Sequence, residues 1–526
     1  MPATITLSNL SWATPDGREI FTDHNLTFGA ERTGLVGRNG VGKTTLLKIV
    51  AGDLEPRTGS VTVNGRVAVL RQMVQVTPDE TIADLFGAAA PLALLERAAR
   101  GEARAEELTG ADWTLEARLE AALAQFGLEG AADAKLAALS GGQRTRAALA
   151  ALVFAAPDFV ILVEPTNNLD RDGRAAVIDL LSTWRAGAIV VSHDRELLDT
   201  MDAIVEMTSL SVRRYGGNWS AYRERKALEL AAAERDLADA EKRVADVART
   251  AQMMTERKAR KDSAGKRKAA RGDMPKIILG GMKRQAQETS ASLSRLAERQ
   301  REDALLDAAA ARERIEVLQP FVVSLPATGL AAQKVVVRVE NVTAGYEPGR
   351  PVIDGLSFSI VGSERVGIVG PNGCGKTTVL AVLTGALAPW KGSVGLFTDF
   401  AMLDQRVSIL DPALTIRENF LRLNPGAEEN AGRAALARFM FRAGAALQVT
   451  GTLSGGQMLR AGLACVLGGV APPPLLILDE PTNHLDIDSI EVVEAGLRAY
   501  DGALLVVSHD ESFLANIGIT RRLNLA

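Results

Sequence analysis

Two stretches decide the fold: Gly37-Arg-Asn-Gly-Val-Gly-Lys-Thr44 and Gly370-Pro-Asn-Gly-Cys-Gly-Lys-Thr377. Each follows a short apolar run, residues 33–36 and 365–369, and precedes a helical pattern, residues 46–51 and 379–383. Strand, glycine loop and helix is the context in which this spacing binds phosphate. Gly37, Gly40 and Gly42, and likewise Gly370, Gly373 and Gly375, let backbone N–H groups curl around phosphate oxygens. The helix N-terminus adds a positive dipole. Lys43 and Lys376 are placed to reach the β- and γ-phosphates, and Thr44 and Thr377 to offer a hydroxyl to Mg²⁺. Asn39, Thr45, Asn372 and Thr378 complete the candidate nucleotide-contacting set.

Outward from these loops the chain keeps repeating. Ser140-Gly141-Gly142-Gln143 and Ser454-Gly455-Gly456-Gln457 each follow a leucine and lead into a helix rich in Ala, Leu and Arg. Two readings stand here: a capped turn, or a second phosphate-binding helix N-terminus offered from the opposite side. Next come apolar strands ending in acid, Phe159-Val-Ile-Leu-Val-Glu164 and Leu475-Leu-Ile-Leu-Asp-Glu480. Pro-Thr-Asn-Asn-Leu-Asp170 and Pro-Thr-Asn-His-Leu-Asp486 follow them. A further apolar strand then leads to Ser-His-Asp, with His193 and His509 each 29 residues after the acid. Only four histidines exist, so two at matched positions favour function over structure.

This order resembles the ATP-binding cassette superfamily: Walker A, signature, Walker B, D-loop and switch histidine, in both halves, over residues 4–222 and 334–526. The resemblance implies an α/β fold class, two P-loop NTPase cassettes joined by a long antiparallel α-helical linker. The expected domains are residues 1–222, a linker at 223–320 and residues 321–526. It also implies two ATP molecules with Mg²⁺ buried between the cassettes. Site one would use Lys43, Thr44, Gln72, Glu164 and His193 with the signature at 454–457. Site two would use Lys376, Thr377, Gln405, Asp479, Glu480 and His509 with the signature at 140–143. Gln72 and Gln405 look like Q-loop residues that join Thr44, Thr377 and Asp479 at the metal. Trp12 and Tyr346, 25 and 24 residues before the first loop glycine, look like the aromatics on which adenine stacks. Glu164 and Glu480 would polarise the attacking water, and His193 and His509 would hold the γ-phosphate. The halves differ at the residue before the acid: Val163 stands where the second half has Asp479, and Val cannot bind Mg²⁺. Position 168 differs too, with Asn168 against His484. Site two is therefore expected to be the more active ATPase.

Composition bounds the class. The 526 residues are 47% hydrophobic and 24% charged, which excludes a disordered or collagen-like chain. Cys374 and Cys465 form no CxxC pair, which argues against a disulfide framework or a cysteine zinc site and fits a reducing compartment. The N-terminus lacks the basic and apolar regions of a secretory signal. Residues 461–478 are uncharged, but Gly462, Gly468, Gly469 and Pro472, Pro473 and Pro474 mark a helix end, a loop and a buried strand rather than a membrane span.

The segment between the cassettes matches neither half. Residues 223–261 and 284–318 are rich in helix formers and permit an antiparallel helical pair. Between them, residues 256–284 carry eleven Lys and Arg against three acids. That net of +8 leaves −12 for the remaining chain, so the total of −4 conceals a basic tip. Such a block reads as a phosphate-binding surface, for nucleic acid or anionic lipid. Lys266, Arg267, Lys268 and Arg271 are its candidate RNA contacts. The apolar residues 277–279 either pack the arms together or touch a partner.

Tandem cassettes, no membrane segment and this linker resemble the family-F branch, called ABC-F. The resemblance implies a cytoplasmic, monomeric ATPase whose linker contacts the ribosome, both rRNA and tRNA, with no obligate permease. Three competing classes are the motor of a membrane transporter, a DNA-handling cassette ATPase and a non-hydrolysing scaffold. The first leaves the basic linker unexplained. The second lacks the longer coiled coils or zinc cysteines usual there. The third sits poorly with an intact Asp479–Glu480 pair. Residues 92–120 lengthen the first half before its signature, where the branch often carries a ribosome-contacting insertion.

Overall fold

Each half begins with an antiparallel sheet and continues into a parallel one. In the first, β1 (Thr4–Ala13) lies between β2 (Glu19–Phe28) and β4 (Thr58–Asn64). The second sheet runs β5 (Val67–Leu70), β6 (Phe159–Val163), β7 (Gly187–Val191), β3 (Arg32–Val36), β8 (Ala203–Met207), β9 (Val212–Gly216). All neighbours there are parallel except β8 and β9. The second half repeats this with β11 (Ile353–Val361), β10 (Val335–Ala344) and β13 (Lys391–Leu396) in the antiparallel sheet. Its parallel sheet runs β14 (Phe400–Leu403), β15 (Leu475–Asp479), β16 (Ala503–Val507), β12 (Arg365–Val369), β17 (Arg521–Asn524). The computed structural model describes residues 3–70, 77, 79–128, 132–167, 169–208, 211–269, 298–299, 302–307, 309, 324–441, 443–483 and 485–525.

Near-continuous apolar runs form the central strands because both faces are covered. Leu475, Ile477, Leu505 and Val507 face a core shared with β10, β11 and the helix Lys376–Leu383. Their alternates Leu476, Leu478, Leu504 and Val506 pack on the helices Gly455–Leu467 and Ile487–Ala499. In the first half Phe159, Ile161, Ile189 and Val191 pack on Ile5, Leu7, Phe21 and Leu46. Strand β3 lies between β7 and β8, and β12 between β16 and β17. The glycine loops therefore leave the carboxyl edge at mid-sheet, where doubly wound sheets place ligands. Residues 461–478 resolve as expected into a helix end, a loop and buried β15. Among the described residues no helix is long and apolar enough to cross a membrane.

Contacts divide the chain into one unit of Met1–Ser220 with Phe321–Ala526, and a second of Ala221–Pro320. The helix Trp219–Ala269 runs 51 residues, about 75 Å. It extends past the expected first arm of 223–261, because the lone Gly265 costs a helix only about 1 kcal/mol. Ala233, Ala240 and Ala304 are buried in the second unit, and Arg243 reaches Asp307 at 3.5 Å, tying together residues 64 apart in sequence. Gln72, Asn168, Arg271, His484, residues 277–279 and the side chains of Lys266, Arg267 and Lys268 lie outside the described residues.

Candidate nucleotide-binding sites

Both glycine loops close around their own lysine. Gly42 (φ 105°) and Gly375 (φ 97°) precede the helices Lys43–Val50 and Lys376–Leu383. A Cβ at Gly42 would lie 2.6 Å from Ile20, and one at Gly375 2.9 Å from Val352. Gly40 and Gly373 differ: with φ of 83° and 85°, a Cβ there meets nothing within 4 Å. These two positions face the open side of the cradle. Lys43 and Lys376 are buried, yet among the described residues each donates to carbonyls of its own loop. Lys43 Nζ donates to Gly37 and to Arg38 at 3.1 Å; Lys376 Nζ donates to Gly370 at 2.9 Å and to Pro371 at 3.0 Å. Thr44 and Thr377 are exposed at the helix starts. Tyr346 is 65% exposed, with its hydroxyl 3.5 Å from Thr378. Trp12 is half-buried and sits opposite Phe21, which contacts the Gly42 position.

Across the sheet, Glu164 and Glu480 follow β6 and β15 with φ of 48° and 46°, a backbone region uncommon outside glycine. Glu164 N–H donates to Val191 O (2.8 Å) and Glu480 N–H to Val507 O (2.9 Å), pinning both turns. His193 Nε2 is 3.1 Å from Glu164 Oε1, and His509 Nε2 is 3.4 Å from Glu480 Oε1. The second contact lacks hydrogen-bond alignment, so His509 Nε2 is buried without a partner, as is His193 Nδ1. Burial pushes Glu164 up to about 8 and Glu480 to about 7, against the pull of Lys43 and Lys376. Burial, helped by the same lysines, pulls His193 down to about 3 and His509 to about 4. Both imidazoles are therefore neutral near pH 7 and can donate from one nitrogen while accepting at the other.

Because Glu164 titrates at about 8 when folded against an ordinary 4.5, the folded chain holds more protons between those values. Its contribution to stability falls as pH rises through that window. Glu164→Gln removes the cost of ionising a buried carboxyl. Its Tm should gain on the parent's as pH rises from about 4.5 to about 8. Scanning calorimetry across that range checks this, and a constant Tm difference refutes it.

The halves interlock at these sites. Asn39 N–H donates to Asp486 Oδ2 at 2.7 Å, and Arg38 pairs with Asp488 at 2.8 Å. The second pair is well exposed and worth under about 1 kcal/mol. Arg460, on the helix Gly455–Leu467, has Arg38, Asp486 and Asp488 as its electrostatic neighbours, so the second signature helix lies near the first glycine loop. A cavity of about 240 Å³ is lined by Asn372, Gln405, Glu480 and His509 of the second half and by Thr166, Asn167 and Arg174 of the first. In each signature the serine accepts from the glutamine N–H while the glutamine side chain accepts from the serine N–H. The capping reading therefore holds, and the box leaves the glycine N–H groups between them at the helix end.

Strand register makes the Val163 departure concrete. Val163 pairs with Val191 as Asp479 pairs with Val507, so both hold the same sheet position. Val163 packs against the apolar core. Asp479 is buried, and its carboxyl is raised by that burial and by Asp404, a neighbour the sequence reading missed. Also missed were the Asn39–Asp486 contact and the cross-cassette pairs of Arg174 and Arg195. For Arg174 and Arg195 the available signal was their failure to match Ile490 and Glu511 in the other half.

The residues fit a nucleotide triphosphate. The cradle is open at Gly40 and Gly373, the lysines point into it, and buried imidazole nitrogens lack partners. Among the described residues no group of three or more His, Cys, Asp or Glu gathers for a metal.

Paired cradles, strand-end acids and switch histidines define an ATP-binding cassette protein. The family model described as "ABC transporter" matches residues 22–167 and 353–483. The energy-dependent translational throttle protein EttA of Mycobacterium tuberculosis is 32% identical over 94% of this chain and 87% of its own. The tylosin resistance ATP-binding protein TlrC of Streptomyces fradiae is 32% identical over 94% and 92%. ATP-binding protein Uup of Haemophilus influenzae is 30% identical over 92% and 72%. Among solved structures, RNase-L Inhibitor aligns with a TM-score of 0.58 at 19% identity, over 98% of this chain and 87% of that one, a likeness of fold. The chain belongs to the ATP-binding cassette family, in its family-F branch of tandem-cassette, ATP-binding ATPases.

Proposed function

We propose that this protein is a cytoplasmic, monomeric translation factor that binds two Mg²⁺-ATP between its cassettes and uses hydrolysis to gate ribosome binding by its linker. The observation that carries this reading is the pairing of interlocked cassettes with a helix of about 75 Å leading to a basic tip. Relatives covering nearly the whole chain are named for translational throttling, which points the same way.

Each site divides its work. Lys43 and Lys376 would leave their loop carbonyls to neutralise phosphate charge, with Trp12 and Tyr346 against adenine. Thr44 and Gln72 on one side, and Thr377, Gln405 and Asp479 on the other, would hold Mg²⁺. When bound, that ion supplies charge neutralisation to the phosphates. Glu164 and Glu480 would orient water and accept its proton, and a carboxyl near 7 or 8 suits a base working at neutral pH. His193 and His509 would donate to the terminal phosphate from the nitrogen left unpartnered. The signature helix ends, 454–457 and 140–143, would bring N–H dipoles from the opposite half. ATP binds the closed state better than the open one, so it would hold the linker in its RNA-binding pose, and hydrolysis would release it. The tip's Lys266, Arg267, Lys268 and Arg271 would contact rRNA and tRNA backbones, where shape rather than base readout guides binding.

The test is sedimentation of the Glu164→Gln/Glu480→Gln double variant with ribosomes. Blocked hydrolysis should trap it on ribosomes in ATP but not without nucleotide. Failure to co-sediment in low salt overturns the ribosomal reading.

A further inference from the structure

From the strand-end acid onward the two halves keep one offset: 480 − 164, 486 − 170 and 509 − 193 are all 316. The same offset pairs Asp194 with Asp510 but Arg174 with Ile490, Arg195 with Glu511 and Ile178 with Glu494. The interface between the sites is therefore built from one side. Arg174, in the helix Arg171–Thr183, is buried. Its guanidinium lies 2.5 Å from Asp194, next to the first switch histidine, and donates across to the carbonyl of His509, the second, at 2.9 Å. Arg195 likewise reaches Glu494 at 2.7 Å, and Asn516 holds that carboxylate at 3.0 Å. These bridging cations, like Arg38, belong to the first half, and the groups they reach across the interface, His509 O, Glu494 and Asp488, belong to the second. Buried Ile490 stands where the first half has Arg174, and the cations acting on Asp510 are Arg174 and Arg195 of the first half.

We propose that Arg174 is a positioning residue that transmits the state of the first ATP site to His509 of the second, with no counterpart running the other way. The physical chain is short. Asp194 adjoins His193, which contacts Glu164. A shift of the first switch loop moves Asp194, and a planar five-donor fork bound at both ends carries the shift to the His509 backbone. That backbone sets where the second imidazole points relative to Glu480. Arg174 also lines the cavity holding Glu480 and His509, so it sits at the second site without contacting Glu480 through any hydrogen bond or ion pair. This rests on the proposed reading of site two as the main hydrolytic site.

The test is a double-mutant cycle on the full chain, measuring steady-state ATP turnover against ATP concentration. Lys43→Met weakens nucleotide binding at site one and should slow site two about tenfold where coupling is intact. Arg174→Lys keeps a cation beside Asp194 but loses the fork. It should keep the parent Tm, lower kcat about tenfold and abolish the further loss from Lys43→Met. If Arg174 only neutralises Asp194, Arg174→Lys restores kcat together with Tm and the Lys43→Met loss persists, which overturns the proposal. Should Arg174→Lys itself fold poorly, Ile178→Lys, Ile490→Arg and Arg174→Gln are compared at matched Tm, and an undiminished Lys43→Met effect in Arg174→Gln overturns it equally. Glu480→Gln is the control: if turnover survives there, the assignment of site two has failed, whereas its loss with no coupling in the cycle rejects Arg174 alone.

Discussion

Glu480→Gln is expected to abolish ATP turnover, by about 100-fold or more, while Glu164→Gln leaves most of it. The two acids have matched backbones, matched histidines and similar burial, so the carboxylates themselves do not predict a difference. The residue before each does. In the proposed site Asp479 would hold Mg²⁺, directly or through water, and its raised pKa reflects the cost of holding that charge buried with Asp404 nearby. Val163 occupies the same place in the sheet and offers only methyl groups to the core. Losing a metal ligand weakens charge neutralisation where phosphoryl transfer depends on it most. Steady-state phosphate release from the two single variants checks this, and equal losses refute the asymmetry. Val163→Asp in the Glu480→Gln background extends the argument: turnover should return if the missing carboxylate is what limits site one.

Neutralising Lys266, Arg267, Lys268 and Arg271 together is expected to weaken ribosome binding by an amount that depends on salt. Each phosphate contact adds roughly 0.7–0.9 to the slope of log affinity against log salt. Four lost contacts should flatten that slope by about 3 and cost about a hundredfold near physiological salt. ATP turnover of the isolated variant should stay at the parent level, because the substitutions lie far along the sequence from both glycine loops. Binding measured at several salt concentrations separates the outcomes. An unchanged slope removes the tip from the interface. Equal loss of isolated ATPase and binding would mean that the tip supports the cassettes instead.

Much of the site was legible because its chemistry is local. A glycine loop needs its spacing to wrap phosphate, a strand-end acid needs its strand, and two copies of each make chance matches implausible. The difference between Val163 and Asp479 was equally readable, since strand position follows from alignment of two apolar runs. The helical character of the linker's first arm followed from composition, while most of the expected second arm, 284–318, lies outside the described residues. The first arm nevertheless extends beyond the expected limits at both ends, to Trp219 and Ala269, since one glycine is a weak breaker.

What the sequence by itself determined is the inventory: two cassettes, their order, the candidate residues proposed to hold phosphate and metal, and the basic segment between them. Only the tertiary structure decided which residues from opposite halves meet. Asn39 with Asp486, Arg174 with His509 and Arg195 with Glu494 are separated by 299 to 447 residues, and no local rule links them. The protonation states belong there as well. Glu164 and Glu480 carry the same side chain as any exposed glutamate, and burial, against the pull of the neighbouring lysine, moves them to about 8 and about 7. Contact across a fold and removal from water arise when distant segments pack, and they are set by the whole chain rather than by any stretch of it.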